Sequence, residues 1–198
     1  MKLNWAERLV VNNPCRVMEQ RFEIRWLKRT LPLQPESVVL EIGCGRGAGS
    51  SLILKEFQPA AIHAMDLDWK MIRLGKRFLS SLEKKSIFMY VGDVLHLPYE
   101  DSSLDAVFDF GVLHHVPDWR SAVSEICRIL KPGGTFYVEE LYPTLYQNFI
   151  TRHILLHPTE DRFGSRDFRA ALAGAGLNMV DSLEVKGVGL LAVLVKEA

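Results

Sequence analysis

Residues 38–47 read Val-Val-Leu-Glu-Ile-Gly-Cys-Gly-Arg-Gly. A buried-strand run empties directly into three alternate glycines, and an apolar-periodic stretch (Leu52, Ile53, Leu54, Phe57) follows. Strand, tight loop and helix are the reading. Glycine accepts the left-handed backbone of such a loop and lets a ligand lie against the main chain. The helix that opens next turns its N–H groups and positive dipole end toward the loop. The segment therefore predicts a site for an extended polar small molecule at the carboxyl edge of the first strand.

The rest of the chain supplies the frame. Ala61–Met65, Ile87–Val91, Leu104–Phe110 and Thr135–Glu139 read as further strands. Between them, Asp68 caps a helix whose face carries Met71, Leu74, Phe78 and Leu82, and Asp118 caps one carrying Trp119, Ala122, Val123, Ile126 and Leu130. Lys131-Pro132-Gly133-Gly134 stops that second helix. Strands alternating with helices predict a parallel sheet covered on both faces. The tail breaks the alternation. Ser165 is expected to cap a helix through Phe168, Ala171 and Leu172, and Leu177–Val185 and Leu190–Val195 flank a join too short for a helical crossover. The last two strands must then form an antiparallel hairpin.

Length and composition narrow the class. At 198 residues, 48% hydrophobic and 24% charged, the chain suits one α/β domain. Twenty-four basic residues balance 24 acidic ones, which argues against a general nucleic-acid surface. No apolar run is long enough for a membrane span. Cys15, Cys44 and Cys127 lie far apart and show no zinc spacing, so no metal is expected and a cytoplasmic, reduced protein is. His153 and His157 share a helical spacing but lack a third ligand nearby.

The glycine loop alone leaves the ligand open. Gly43-Cys44-Gly45-Arg46-Gly47-Ala48 also satisfies a relaxed dinucleotide fingerprint, and Asp66 stands where a ribose-binding acid would. Glu41 argues otherwise, because a buried acid repels a pyrophosphate and favours an ammonium. Asp93 adds an acceptor suited to an exocyclic amine. The closing hairpin departs from a dinucleotide fold.

Six ordered segments carry a resemblance. Val39–Gly47, Met65–Asp68, Gly92-Asp93-Val94, Leu104–Phe108, Val112-Leu113-His114-His115-Val116 and Arg128–Gly134 resemble class I S-adenosylmethionine-dependent methyltransferases, in the branch that includes quinone-biosynthesis enzymes. The resemblance implies a Rossmann-like, doubly wound seven-stranded sheet in the order 3-2-1-4-5-7-6 with strand 7 antiparallel. It implies S-adenosyl-L-methionine as cofactor. Glu41 and the backbone of Gly43, Cys44, Gly45 and Gly47 would lie near its methionine part, Asp66 at the ribose, and Leu67 against adenine. Asp93 and the Val94 N–H would read the adenine edge, and Phe110 would close the pocket. Arg46, where threonine or serine is commoner, and the apolar Phe110-Gly111 depart mildly from the pattern.

Residues 1–198 are thus expected to form one domain: a helical lid segment at 1–30, a cofactor core at 38–140, and an acceptor-side segment with the closing hairpin at 141–198. The expected reaction is methyl transfer to a small, partly apolar molecule. A nicotinamide-dependent oxidoreductase and a cofactor-binding module without turnover are the alternatives. Methyl transfer needs a base only when the acceptor loses a proton. His114, His115 and Tyr142 are the candidates for that role, and adjacent histidines on a turn cannot both face one site. Trp26, Tyr142, Tyr146 and Phe149 are candidate walls of the lid, Phe22, Trp26 and Leu27 its apolar anchors, and Arg21 or Arg25 a candidate anchor for an anionic group.

Overall fold

The computed structural model describes residues 13–146 and 161–197. Seven strands form one sheet: β1 (Val38–Ile42), β2 (Ala61–Asp66), β3 (Ile87–Val91), β4 (Leu104–Phe110), β5 (Leu130–Leu141), β6 (Leu177–Val185) and β7 (Gly189–Lys196). Their order is β3-β2-β1-β4-β5-β7-β6. The pairs among β1 to β5 are parallel, and β7 runs antiparallel to both β5 and β6. The expected order and the closing hairpin are both present.

Each face of the sheet has its own core. Strand side chains alternate between faces, so Leu40 and Ile42 point one way and Val39 and Glu41 the other. On the first face Leu40, Val107, Phe136 and Val138 pack with Trp119 and Ile126 of α4 (Trp119–Ile129) and with Phe168 of α6 (Ser165–Gly174). On the second, Val39, Phe108 and Tyr137 pack with Ile24 and Leu27 of α1 (Pro14–Thr30) and with Ile53 and Phe57 of α2 (Ala48–Phe57). Helix α3 (Trp69–Phe78) covers the β2–β3 end, and a single turn, α5 (Pro143–Tyr146), follows β5.

The local signals mostly hold, with instructive exceptions. The Asp68 and Asp118 side chains accept from Lys70 N and Ser121 N, as N-caps do. Helix α6 begins at Ser165 but its N-cap is Gly164, which offers no side chain. On α3 the buried residues are Met71, Ile72 and Gly75, while Leu74 and Phe78 are exposed, as is Leu82 beyond the end of the helix. Three apolar residues at helical spacing defined the wrong stripe, because Gly75 is the position that packs against Met89. Phe22 is exposed rather than an anchor, and Ile24 and Leu27 hold α1 down. Lys131–Gly134 do not separate helix from strand. They form an irregularity within β5, between the pairs Leu104–Leu130 and Ala106–Thr135.

Candidate functional site

A cavity opens at the carboxyl ends of β1, β2 and β4, where ligand crevices of open α/β sheets lie. Glu41, Gly43, Cys44, Gly45, Asp66, Leu67, Asp93, Val94 and Phe110 line it, with Arg16 and Gln20 of α1 closing one side. Gly47, the remaining loop residue singled out in the sequence, is the left-handed N-cap of α2.

Parallel registry brings these groups together. β1 ends at Ile42 beside Met65 and Asp109, so the glycine loop emerges between the ends of β2 and β4. The Cys44 N–H donates to Met65 O at 2.8 Å, and the Gly45 N–H donates to Asp66 Oδ2 at 2.9 Å. Asp66 Oδ1 also accepts the Asp68 N–H at 2.7 Å. The Asp66 carboxylate is thereby held at the cavity edge by backbone donors from both neighbouring loops. Asp93 accepts the Leu95 N–H at 3.0 Å and fixes the turn that follows β3.

Glu41 shares a face with Val39 and so faces α1 and α2. It is buried, and its carboxyl is hydrogen-bonded by Ser50 Oγ. A side chain at Gly49 would overlap Glu41 Oε1 and approach Gln20 Nε2 to 3.0 Å. Burial pushes the Glu41 pKa up to about 8, against the lowering bond from Ser50. Burial also raises the Cys44 thiol well above its usual range, which makes that cysteine a neutral, unreactive part of the loop.

The acceptor-side candidates separate. His115 lines the cavity with Val112, Val116 and Pro117. His114 is buried behind it and its Nδ1 lies 2.6 Å from Glu140 Oε2. Tyr142 is buried and does not line the cavity; its hydroxyl donates to Glu184 Oε1 at 2.9 Å. Arg21 and Arg25 pair with Glu56, and Trp26 packs into the α1–α2 core. Arg16, rather than Arg21 or Arg25, is the arginine that lines the cavity. It reaches Glu139 Oε2 at 2.6 Å and Glu23 Oε1 at 2.8 Å while lining the cavity. Phe149, His153, His157 and the Tyr146 side chain lie outside the described residues.

Arg16, Gln20, Asp109 and Glu140 escaped sequence reasoning. Glu140 follows Glu139 on a strand, and only the alternation of faces says that one meets α1 and the other the turn after β4. Among the described residues no cluster of histidine, cysteine and acidic side chains could hold a metal, and no helix is long and apolar enough to cross a membrane.

The donor set fits a cationic, ribose-bearing ligand. Glu41 and Asp66 suit positive charge and hydroxyl donors, and the glycine loop leaves the main chain open to the ligand. This sheet order with such a loop defines the fold class of class I methyltransferases. The methyltransferase-domain family model matches residues 40–138. The chain belongs to that family, the class I S-adenosylmethionine-dependent methyltransferases.

Similar proteins agree. The chain is 33% identical over 105 residues to a phthiotriol/phenolphthiotriol dimycocerosates methyltransferase of Mycobacterium tuberculosis, covering 53% of this chain and 38% of that protein. It is 29% identical over 123 residues to a demethylmenaquinone methyltransferase of Listeria monocytogenes, covering 60% of this chain and 52% of that protein. The chain thus spans about half or less of the length of these relatives. The fold matches a SAM-dependent methyltransferase structure from Aquifex aeolicus at TM-score 0.75 and 17% identity, over 98% of this chain and 99% of that one.

Proposed function

We propose that this chain transfers the methyl group of S-adenosylmethionine to a small, partly apolar acceptor by in-line displacement. The observation that carries the reading is the cavity at the ends of β1, β2 and β4, with Glu41 and Asp66 held on its walls. Glu41 and the Gly43–Gly47 backbone are assigned to the methionine part of the cofactor. Asp66 is assigned to the ribose, Leu67 and Val94 to the faces and edge of adenine, and Asp93 to its amine. Phe110 is assigned to the end where the methyl group leaves.

The cofactor supplies an electrophilic methyl group, so the protein's work is alignment and water exclusion. Arg16 and Gln20 place α1 over one side of the cavity and support the lid role of residues 1–30. The relatives named above act, by their names, on small molecules, which supports a small-molecule acceptor here. The free cysteines Cys15, Cys44 and Cys127 support a cytoplasmic setting. Isothermal calorimetry with S-adenosylmethionine, S-adenosylhomocysteine and NAD tests the cofactor assignment. Micromolar binding of the first two is expected; binding of NAD alone would overturn it.

A further inference from the structure

Behind the cavity wall lies a group of buried side chains that cofactor binding does not use. β4 leaves the sheet through Gly111 into a short turn, Leu113–His115. Two acids from neighbouring strands hold that turn. Asp109 Oδ1 accepts the Val112 N–H at 2.9 Å. Glu140 Oε1 accepts the Leu113 N–H at 2.5 Å, and its Oε2 accepts the His114 N–H at 3.3 Å and meets His114 Nδ1 at 2.6 Å. Both acids are fully buried.

Burial raises both carboxyls above their usual range. Two neighbouring buried acids do not both ionise, so at least one of them keeps its proton. Asp109 keeps it, because Glu140 accepts two backbone N–H donors and Asp109 only one. Glu140 Oε2 and His114 Nδ1, 2.6 Å apart, hold one hydrogen between them and tie the turn to β5. The His114 ring lies 4.2 Å from the His115 ring, centroid to centroid, tilted by 38°. His115 is the cavity-lining member.

Position gives this group a task. Asp66 and Asp93 occupy the β2–β3 end of the cavity. Phe110, Gly111, Val112 and His115 occupy the opposite end, beyond β1, together with Arg16. If the ribose and adenine take the first end, the acceptor meets the methyl group at the second. A buried carboxyl bonded to one imidazole, with a second imidazole packed on the first, fixes His115 at the cavity wall.

Resting on the methyl-transfer reading above, we propose that His115 takes the proton of the methyl acceptor and that Glu140, acting through His114, is the positioning residue that holds it there. The acceptor class is then one that loses a proton on methylation: a hydroxyl, or a carbon made acidic by a neighbouring carbonyl or phenol. For a hydroxyl acceptor, its oxygen forms the new bond to the methyl carbon. The carbon–sulfur bond breaks, and its electron pair stays on sulfur, giving a neutral thioether. The hydroxyl proton passes to the His115 ring and from there to water.

The test uses the full chain, labelled S-adenosylmethionine, and three probes that carry an ionisable hydroxyl proton: naphthol, naphthohydroquinone and catechol. The wild type should methylate at least one. His115→Gln should lower kcat about 100- to 1000-fold, the usual range for loss of a general base. It should leave cofactor affinity within about threefold, because the cofactor contacts that decide affinity lie elsewhere. Glu140→Gln should lower kcat roughly 5- to 50-fold through misplacement. His115→Gly should regain activity with added imidazole, a rescue a merely structural histidine would not show.

A second readout does not depend on turnover. Nitrogen NMR of the imidazoles should show His114 as the Nδ1–H tautomer and lose that state in Glu140→Gln. His115 should shift when a methylated probe is added with S-adenosylhomocysteine, and not with S-adenosylhomocysteine replaced by buffer. Wild-type turnover in His115→Gln overturns the proposal, as does cofactor binding without transfer to any of the three probes. Failure to bind the cofactor at all would instead overturn the function proposed above.

Discussion

Val112 fills the space that a side chain on Gly43 would need. A Cβ at Gly43 would overlap Val112 Cγ2, and the residue already sits at φ +60°. The glycine loop after β1 and the turn after β4 therefore touch at this point.

Gly43→Ala should pay twice, and so destabilise the fold by about 2–5 kcal/mol. The left-handed backbone costs roughly 1–2 kcal/mol for a residue with a Cβ, and the overpacking about 1–3 kcal/mol. Denaturant melts of the single variant and of Gly43→Ala with Val112→Ala would separate the parts. The double variant should recover the packing share only.

Asp66→Ala should weaken S-adenosylhomocysteine binding about 10- to 100-fold. Charge-assisted hydrogen bonds to two hydroxyls are worth about 1.5–3 kcal/mol each, and the remaining contacts limit the loss. Part of the effect will come through the loop, because Asp66 also anchors the Gly45 N–H. Asp93→Ala should cost less and relax the preference for adenine over other purines. Calorimetry with analogues differing only in the base distinguishes the two.

Glu41 makes stability fall as pH rises. Its folded pKa, about 8, lies above the ordinary carboxylate value near 4.5. Between those values the unfolded chain has lost the proton and the folded chain still holds it. The folded state binds more protons there, so unfolding free energy decreases with pH across that window, by up to a few kcal/mol. Glu41→Gln should flatten the dependence and stabilise the ligand-free protein at pH 8. It should also reduce the proton release that accompanies cofactor binding near pH 7, read from calorimetry in buffers of different ionisation heat.

Arg16 is the clasp of α1. Arg16→Met leaves Glu139 and Glu23 facing each other without their cation, and burial with the Glu139 charge already raises Glu23 to about 7. Removing one partner of a largely buried pair costs about 3–5 kcal/mol. With all three side chains partly screened by solvent, about 2–3 kcal/mol is expected in a thermal melt. Arg16→Met with Glu23→Gln should recover part of it.

Much of this architecture was legible in the sequence because its signals are local. The run Val38–Gly47 declares strand and loop within ten residues. The short Gly187-Val188-Gly189 join permits only a hairpin, and β6 and β7 pair antiparallel as it requires. What stayed hidden depends on which face a residue takes. Leu74, Phe78 and Leu82 share a stripe that is exposed, because the sheet edge beneath α3 calls for Gly75. The Glu140 contacts with Leu113 and His114 join residues 27 and 26 positions apart, and Arg16 meets Glu139 across 123. No periodicity announces such pairs. The cavity residues at the ends of β1, β2 and β3 were visible as a set, whereas the groups that arrange the opposite end of the cavity were not.

The position of β7 also sets a constraint on biosynthesis. It lies between β5 and β6, though it follows both in the chain. During synthesis from the amino terminus, Leu130–Leu141 and Leu177–Val185 leave the ribosome before the segment that joins them. Until Gly189–Lys196 emerges, β5 keeps an open edge and β6 has no neighbour in the sheet. A nascent chain stalled short of those residues would carry two unpaired strands, the kind of edge that recruits chaperones or other chains.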